Sequence, residues 1–300
     1  MDDYIILKNK FYIIISNIVC QDVLKYVIRN YAGSFFEKNA SVDLTEFNAY
    51  SNVTEIKRVV MINESKIYFP GTVLDVLTEN IIYEPAFIMR NDNNVLYGPA
   101  NDNISKVLHD GKFVKHRICR IPVSSDFISY QDYFISLFDN MLYVKHDNKM
   151  PCIIRLNTIG NRISLIDDII YVYNDIDCYT IYYFPIVDFL NNTIERNRYE
   201  YNVINKMIIP STISGEKNIV VIYCGNIYVY TNKEIKIYDI KFKFIGLCEC
   251  DAITLFSVYK NSIATINKDF ICDLYTDHIK EPISPKPLVE NKVSNNFYFF

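Results

Sequence analysis

The chain has 300 residues, 50% of them hydrophobic, and a formal net charge of −4. That is apolar material for one large domain or two smaller ones. The negative balance excludes a global attraction to nucleic acid while leaving room for a local basic patch. The excess of Tyr and Asn, with 8 Gly and no Trp, reads as the codon bias of an AT-rich coding sequence rather than as a sign of function.

Met1-Asp2-Asp3 is acidic, and Tyr4 to Val19 is interrupted by Lys8, Asn9 and Lys10. The stretch lacks the basic start of a signal peptide and the length of a membrane span, so a soluble, cytoplasmic protein is expected. Asp3 to Ser16 reads as a strand hairpin. Cys20 to Phe36 predicts a helix: Val23, Leu24, Val27, Ile28 and Tyr31 make one apolar stripe, Gln21 and Asp22 open it, and Gly33 stands where it would close. Glu37 to Asn52 is polar and aperiodic, which predicts a loop with room for a short helical turn. From Val53 onward the pattern is β throughout, with Pro70-Gly71 and Tyr97-Gly98-Pro99 as turns.

One local pattern recurs. A strand end, a turn rich in Asn or Asp and a new strand carrying Tyr or Val appear at Phe138–Val144, Ile166–Val172 and Cys224–Val229. Phe87–Tyr97 is another hairpin of this sort, Ile62–Phe69 is a further candidate, and Tyr259–Thr265 is a weaker copy. Asn and Asp suit these turns because they tolerate left-handed backbone and bond to their own main chain. Between the turns, β-branched and aromatic residues fit a pleated surface, as in Ile235-Lys236-Ile237-Tyr238-Asp239-Ile240. Repeated short meanders at irregular spacing predict a mainly β fold built as a degenerate β-propeller; a pair of packed β-sheets is the alternative. From Val53 to Tyr275 the chain resembles degenerate WD-repeat-type propellers. The likeness is architectural, since it has no Trp-Asp dipeptide and no Gly-His pair. Residues 1–278 are thus expected to form a single domain, with its helix at about 20–36.

Charge gathers after the turn His109-Asp110-Gly111, where Lys112, Lys115, His116, Arg117 and Arg120 follow in close succession. Such an edge could contact backbone phosphates, or be a solvated edge strand whose cations discourage pairing with another sheet. Arg155, Arg162, Arg196 and Arg198 would extend it if the fold gathered them. Asp167-Asp168, Asp175 and Asp177 form an acidic cluster of the kind that can bind a cation, but are explained more simply as the residues of two hairpin turns. The eight cysteines are scattered without a Cys-x-x-Cys pair, and in a cytosolic protein they read as buried thiols. A zinc site would have to combine Cys248 and Cys250 with Cys224 and Cys272, so no metal and no cofactor is expected. No Gly-rich phosphate loop, nucleophile elbow or His-Glu-x-x-His occurs, and His109, His116, His146 and His278 stand alone. No catalytic residue is assigned and an enzyme is not expected.

Residues 279–300 contain Pro282, Pro285 and Pro287, which favour an extended chain. They end in Phe297-Tyr298-Phe299-Phe300. Large apolar side chains left in water forgo roughly 1.5–3 kcal/mol of burial each, so this tail either folds back or inserts into a partner. A compact chain with a basic edge and an insertable tail resembles the microsporidian ribosome dormancy factors. That resemblance implies binding to ribosomal RNA and proteins, and inhibition of translation by occupancy; no diagnostic motif carries a residue across. The expectation is a binding protein with a large assembly, the ribosome first, as partner, and neither a membrane nor a small-molecule substrate. The alternative is a β-propeller scaffold for protein–protein contacts in a cytosolic complex.

Overall fold

The computed structural model describes residues 34–47, 59–69, 72–83, 90–92, 95–100, 103–107, 116–120, 126–146, 150–209, 218–231 and 233–277, those between 90 and 120 and residues 34, 35, 46, 47, 82 and 83 by their backbone alone. Strand β1 (Ser34–Asp43) leads through a 3-10 turn toward a meander of β2 (Val60–Met61), β3 (Lys66–Phe69), β4 (Thr72–Asp75) and β5 (Ile81–Tyr83). A second meander follows in β6 (Arg90–Asp92), β7 (Val95–Ala100), β8 (Asn103–Val107) and β9 (His116–Arg120). The third is β10 (Asp126–Tyr130), β11 (Tyr133–Phe138), β12 (Met141–His146) and β13 (Cys152–Leu156).

The fourth begins as β14 (Arg162–Ile166), β15 (Ile169–Tyr173) and β16 (Thr180–Pro185). Helix α1 (Ile186–Leu190), a π-helical turn at Asn191–Glu195 and β17 (Glu200–Tyr201) intervene before its outer strand β18 (Lys206–Ile208). β17 pairs in parallel with β13. The fifth runs β19 (Ile219–Tyr223), β20 (Asn226–Thr231), β21 (Glu234–Asp239) and β22 (Phe244–Glu249). The sixth has β23 (Ile253–Tyr259), β24 (Ser262–Asn267) and β25 (Ile271–Asp277), and takes β1 as its fourth strand. Because β1 also pairs in parallel with β22 at Ser34 and Phe35, the last two meanders merge into one eight-stranded sheet.

The five sheets stand as the blades of a β-propeller, the largest carrying two meanders. They meet through their first strands: β2 packs on β6 and on β23, β10 on β14, and β19 on β23. Between the fourth and fifth meanders, Ser164 Oγ donates to the Ile222 carbonyl at 3.5 Å and the Ile222 amide donates to the Tyr173 hydroxyl at 3.1 Å. Two stacked sheets would instead meet face to face. The apolar clusters also sit between neighbours. Tyr171 and Val172 are buried on β15, but Tyr171 packs with Val220, Ile227 and Val229 of the next meander while Val172 packs back on the third. Val42 and Leu44, at and just beyond the end of β1, join Met61 and Ile67 to Ala264 and Cys272. Each fully buried aliphatic side chain contributes about 1.5–3 kcal/mol.

Turn chemistry follows the expected pattern. Asp139, Asp167 and Asp168 have φ of 51°, 48° and 62°, and Cys224-Gly225 has 46° and 78°. Left-handed backbone at both central residues, as at Asp167-Asp168 and Cys224-Gly225, matches the twist of a tight hairpin.

Three expectations change. Residues 37–43, expected as loop, are strand, and so are Ser34–Phe36 at the end of the predicted helix. The polar residues of β1 are satisfied across the ladder. Lys38 Nζ lies 2.7 Å from Asp273 Oδ1, and Ser41 Oγ donates to the same oxygen at 2.6 Å. A register shift between Lys38 and Ala40 breaks the alternation that would have marked the strand. The β pattern after Val53 is also interrupted, by α1, which follows the extended Pro185 and buries Ile186, Phe189 and Leu190 at helical spacing. The expected hairpin at 3–16, the rest of the helix and the tail 279–300 lie outside the described residues. Among the described residues no helix is long and apolar enough to cross a membrane.

Burial fixes how stability depends on alkaline pH. It pushes the Cys178 thiol up to about 11, those of Cys250 and Cys272 to about 12, and the Tyr228 and Tyr238 phenols to about 12. Ordinary values are 9.0 for the thiols and 10.0 for the phenols. The folded state therefore holds these protons more tightly than the unfolded chain, and its stability is lost as pH rises. Urea midpoints are expected to hold steady up to about pH 9 and fall between about 9 and 12. A midpoint unchanged at pH 11 would contradict this burial.

Candidate functional site at the channel mouth

The first strands of the meanders surround a cavity of about 120 Å³, lined by Met61, Asp126, Arg162, Ser164, Ile222 and Ser257 among others. Its polar end is built by the fourth hairpin. The turn Asp167-Asp168 sets Arg162 opposite Tyr173, so the residues just beyond both strand ends face each other. Asn161 Nδ2 donates to Asp175 Oδ1 at 2.7 Å, and the Asp175 amide returns a bond to Asn161 Oδ1 at 2.9 Å. Arg162 Nε donates to Asp175 Oδ2 at 2.8 Å.

Asp126, only 5% exposed, ties the third meander to this group. Its carboxylate accepts from the amides of Phe127 at 3.0 Å and Ile163 at 3.3 Å. Burial pulls the Arg162 guanidinium down, but Asp126 and Asp175 outweigh it and hold the group above its ordinary value, so it stays charged. Burial raises the Tyr173 phenol, opposed by Arg162 and by the Ile222 amide.

The loops around this group are pinned. The Gly160 amide donates to Asp139 O at 3.2 Å and that of Asn161 to Tyr173 O at 3.1 Å. On the other side, the Cys178 amide donates to Asn218 Oδ1 at 2.6 Å, and Asn218 Nδ2 donates to Cys178 O at 2.8 Å. Ile176 bridges to Ile219. These fixed loops present Ile159, Ile176 and Tyr179 to solvent, 67%, 59% and 48% exposed. An apolar surface on rigid loops beside a charged, bonded centre suits a contact face.

The expected basic site falls elsewhere. His116, Arg117 and Arg120 lie on β9, the outer strand of its four-stranded sheet, opposite Lys106, Ser105 and Asn103 of β8. Lys112 and Lys115 lie outside the described residues, as do Phe297, Tyr298, Phe299 and Phe300. The four further arginines do not form one basic surface. Arg162 is bound into the mouth with Asp175, whereas Arg155, Arg196 and Arg198 are exposed elsewhere. Asp167 and Asp168 are turn residues, but Asp175 is a structural partner of Arg162. Cys248 and Cys250 sit in one apolar cluster and Cys272 in another, and Cys224 is an exposed turn residue. Among the described residues no group of three or more His, Cys, Asp and Glu is placed to hold a metal ion.

No protein-family model matches this chain, and no curated protein matches it. Solved structures similar to it include the Pan2 WD40 domain of Neurospora crassa, at 8% identity over 83% of this chain and 98% of that one, with a TM-score of 0.48. Raptor of Chaetomium thermophilum shares 10% identity over 87% of this chain and 31% of its own length, with a TM-score of 0.49. BamB of Moraxella catarrhalis shares 9% over 71% and 80%, with a TM-score of 0.39. The propeller assignment rests on the strand topology described above.

Gly160 is where the mouth is least tolerant. A Cβ there would stand 2.6 Å from Val172 Cγ1, 3.0 Å from Tyr173 O and 3.1 Å from Tyr173 N, two of them backbone atoms. Gly160→Ala is expected to lower unfolding free energy by about 1–3 kcal/mol, measured by urea denaturation. An unchanged midpoint would mean that the loop is not held against β15.

Proposed function

We propose that this chain is a non-enzymatic β-propeller scaffold in a cytoplasmic complex, and that it contacts a partner protein through the mouth of its channel. The observation that carries this reading is the pairing of a pinned loop framework with exposed Ile159, Ile176 and Tyr179. A rigid surface binds with little ordering cost, and exposed apolar side chains supply burial once a partner covers them. The polar groups beneath are engaged with one another, which favours a positioning role over chemistry.

The narrower reading is ribosome association with translation inhibited by occupancy, the mode implied by the dormancy-factor resemblance. It is supported by the place of His116, Arg117 and Arg120 on the outer strand of a four-stranded sheet, since Lys and Arg displace counterions from a phosphate backbone. The two readings use different surfaces. Affinity capture of the tagged protein from its own cells, with cross-linking and mass spectrometry, separates them from each other. For the scaffold, a reproducible partner is expected to cross-link beside residues 157–179, and Ile159→Asp with Ile176→Asp should reduce its recovery at least about tenfold, the effect of removing an interface centre. Recovery unchanged by the double variant would defeat the mouth as the contact face. Salt-sensitive co-sedimentation with ribosomes, insensitive to those two substitutions, would instead favour the narrower reading.

A further inference from the structure

A second cavity, of about 260 Å³, opens at the other end of the third meander. It is independent of the mouth. His146 ends β12, whereas the turn that begins β12, Asp139-Asn140, is the one bonded to Gly160. Tyr133, Val144, Cys152 and Ile194 supply apolar wall, with Tyr199 beside them. The space would hold roughly eight or nine waters at about 30 Å³ each.

Three features of the wall are unusual. The Nδ1 of His146 is shielded from solvent and has no hydrogen-bond partner, while its ring stands edge-on to Tyr133 with centroids 4.8 Å apart. The opposite wall is the π-helical turn Asn191–Glu195, followed by Asn197 in left-handed conformation at φ 52°. Single π turns concentrate at functional sites. The third feature is Arg198, which lines the cavity. Its amide donates to Thr193 O at 2.9 Å, but its guanidinium has no ion-pair partner among the described residues. Thr193 offers no further donor, because its hydroxyl donates to Phe189 O at 2.6 Å.

We infer that this cavity is a binding site for a small organic acid with an apolar body. The carboxylate pairs with Arg198, and the body packs against Tyr133, Val144, Ile194 and the ring of His146. Arg is the side chain suited to a carboxylate because its donors match the two oxygens. The walls are too apolar for a bare inorganic anion to be the preferred occupant.

The test uses benzoate, benzamide and inorganic phosphate as probes against the full chain, by isothermal titration calorimetry and by amide NMR shifts around Tyr133 and Ile194. Saturable benzoate binding with a Kd of the order of millimolar is expected, with benzamide and phosphate each at least about tenfold weaker. Arg198→Gln removes an exposed side chain, so it should leave the melting temperature of the free protein unchanged and weaken benzoate about tenfold or more. No saturable benzoate binding up to about 10 mM, or binding untouched by Arg198→Gln, overturns the inference. Phosphate competing as strongly as benzoate overturns it too, since an anion patch alone would then suffice.

Discussion

The ring is shut by a strand laid between two others that come from the far end of the described chain. β1 forms an antiparallel ladder with β25 from Phe36↔Asp277 to Asp43↔Ile271, and a parallel contact with β22 at its start. Closing a loop of this length costs entropy that only the completed ladder can offset. Ser41 and Asp273 are 232 residues apart, yet their side chains meet at 2.6 Å. Asp273 is almost wholly buried and Lys38 reaches it from the same strand. A buried carboxylate without these two partners would be destabilising, so the ion pair and hydroxyl specify this register as well as adding to it.

From that closure the rest follows along the chain. Leu44 leaves β1 with its amide bonded to Phe270 O and its side chain in the cluster that joins the last meander to the first. The first strands can then pack around the axis. The fourth hairpin can hold Asn161 and Arg162 against Asp175 only because its register is fixed by the two-residue turn at the opposite end. The mouth is thus rigid for topological reasons. The flank of the third and fourth meanders is less regular, because α1, the π turn and β17 are inserted before β18, and that insertion creates the larger cavity.

How much of this can be read from the residues depends on how local the deciding interaction is. The hairpins are legible because a two-residue turn requires left-handed backbone and the chain puts Asp there, at Asp139, Asp167 and Asp168. β1 is not legible. Its Lys38, Asn39 and Ser41 look like loop residues until Asp273 is placed across from them. Five-residue α1 is too short for periodicity to outweigh the strands around it. The Arg162–Asp175 pair hides for a different reason. Arg162 reads as one more arginine for a basic patch and Asp175 as a turn residue, yet they are 13 apart and flank one hairpin. Counting outward from Asp167-Asp168 sets Arg162 against Tyr173, and that register would have brought Asp175 within reach. The cavity by His146 has no such signal, since its walls come from β11, β12, β13 and residues 193–199 together.

Closure by β1 is tested most directly by a cross-link at its register. Val42 lies opposite Cys272, both side chains are buried in the same cluster, and paired antiparallel residues stand at a separation a disulfide can span. Val42→Cys is therefore expected, under mild oxidation, to form one intramolecular disulfide with Cys272, mapped by peptide mass spectrometry, and to raise the urea midpoint. A thiol at position 42 that stays free, or that joins any other cysteine, would contradict the closed ring.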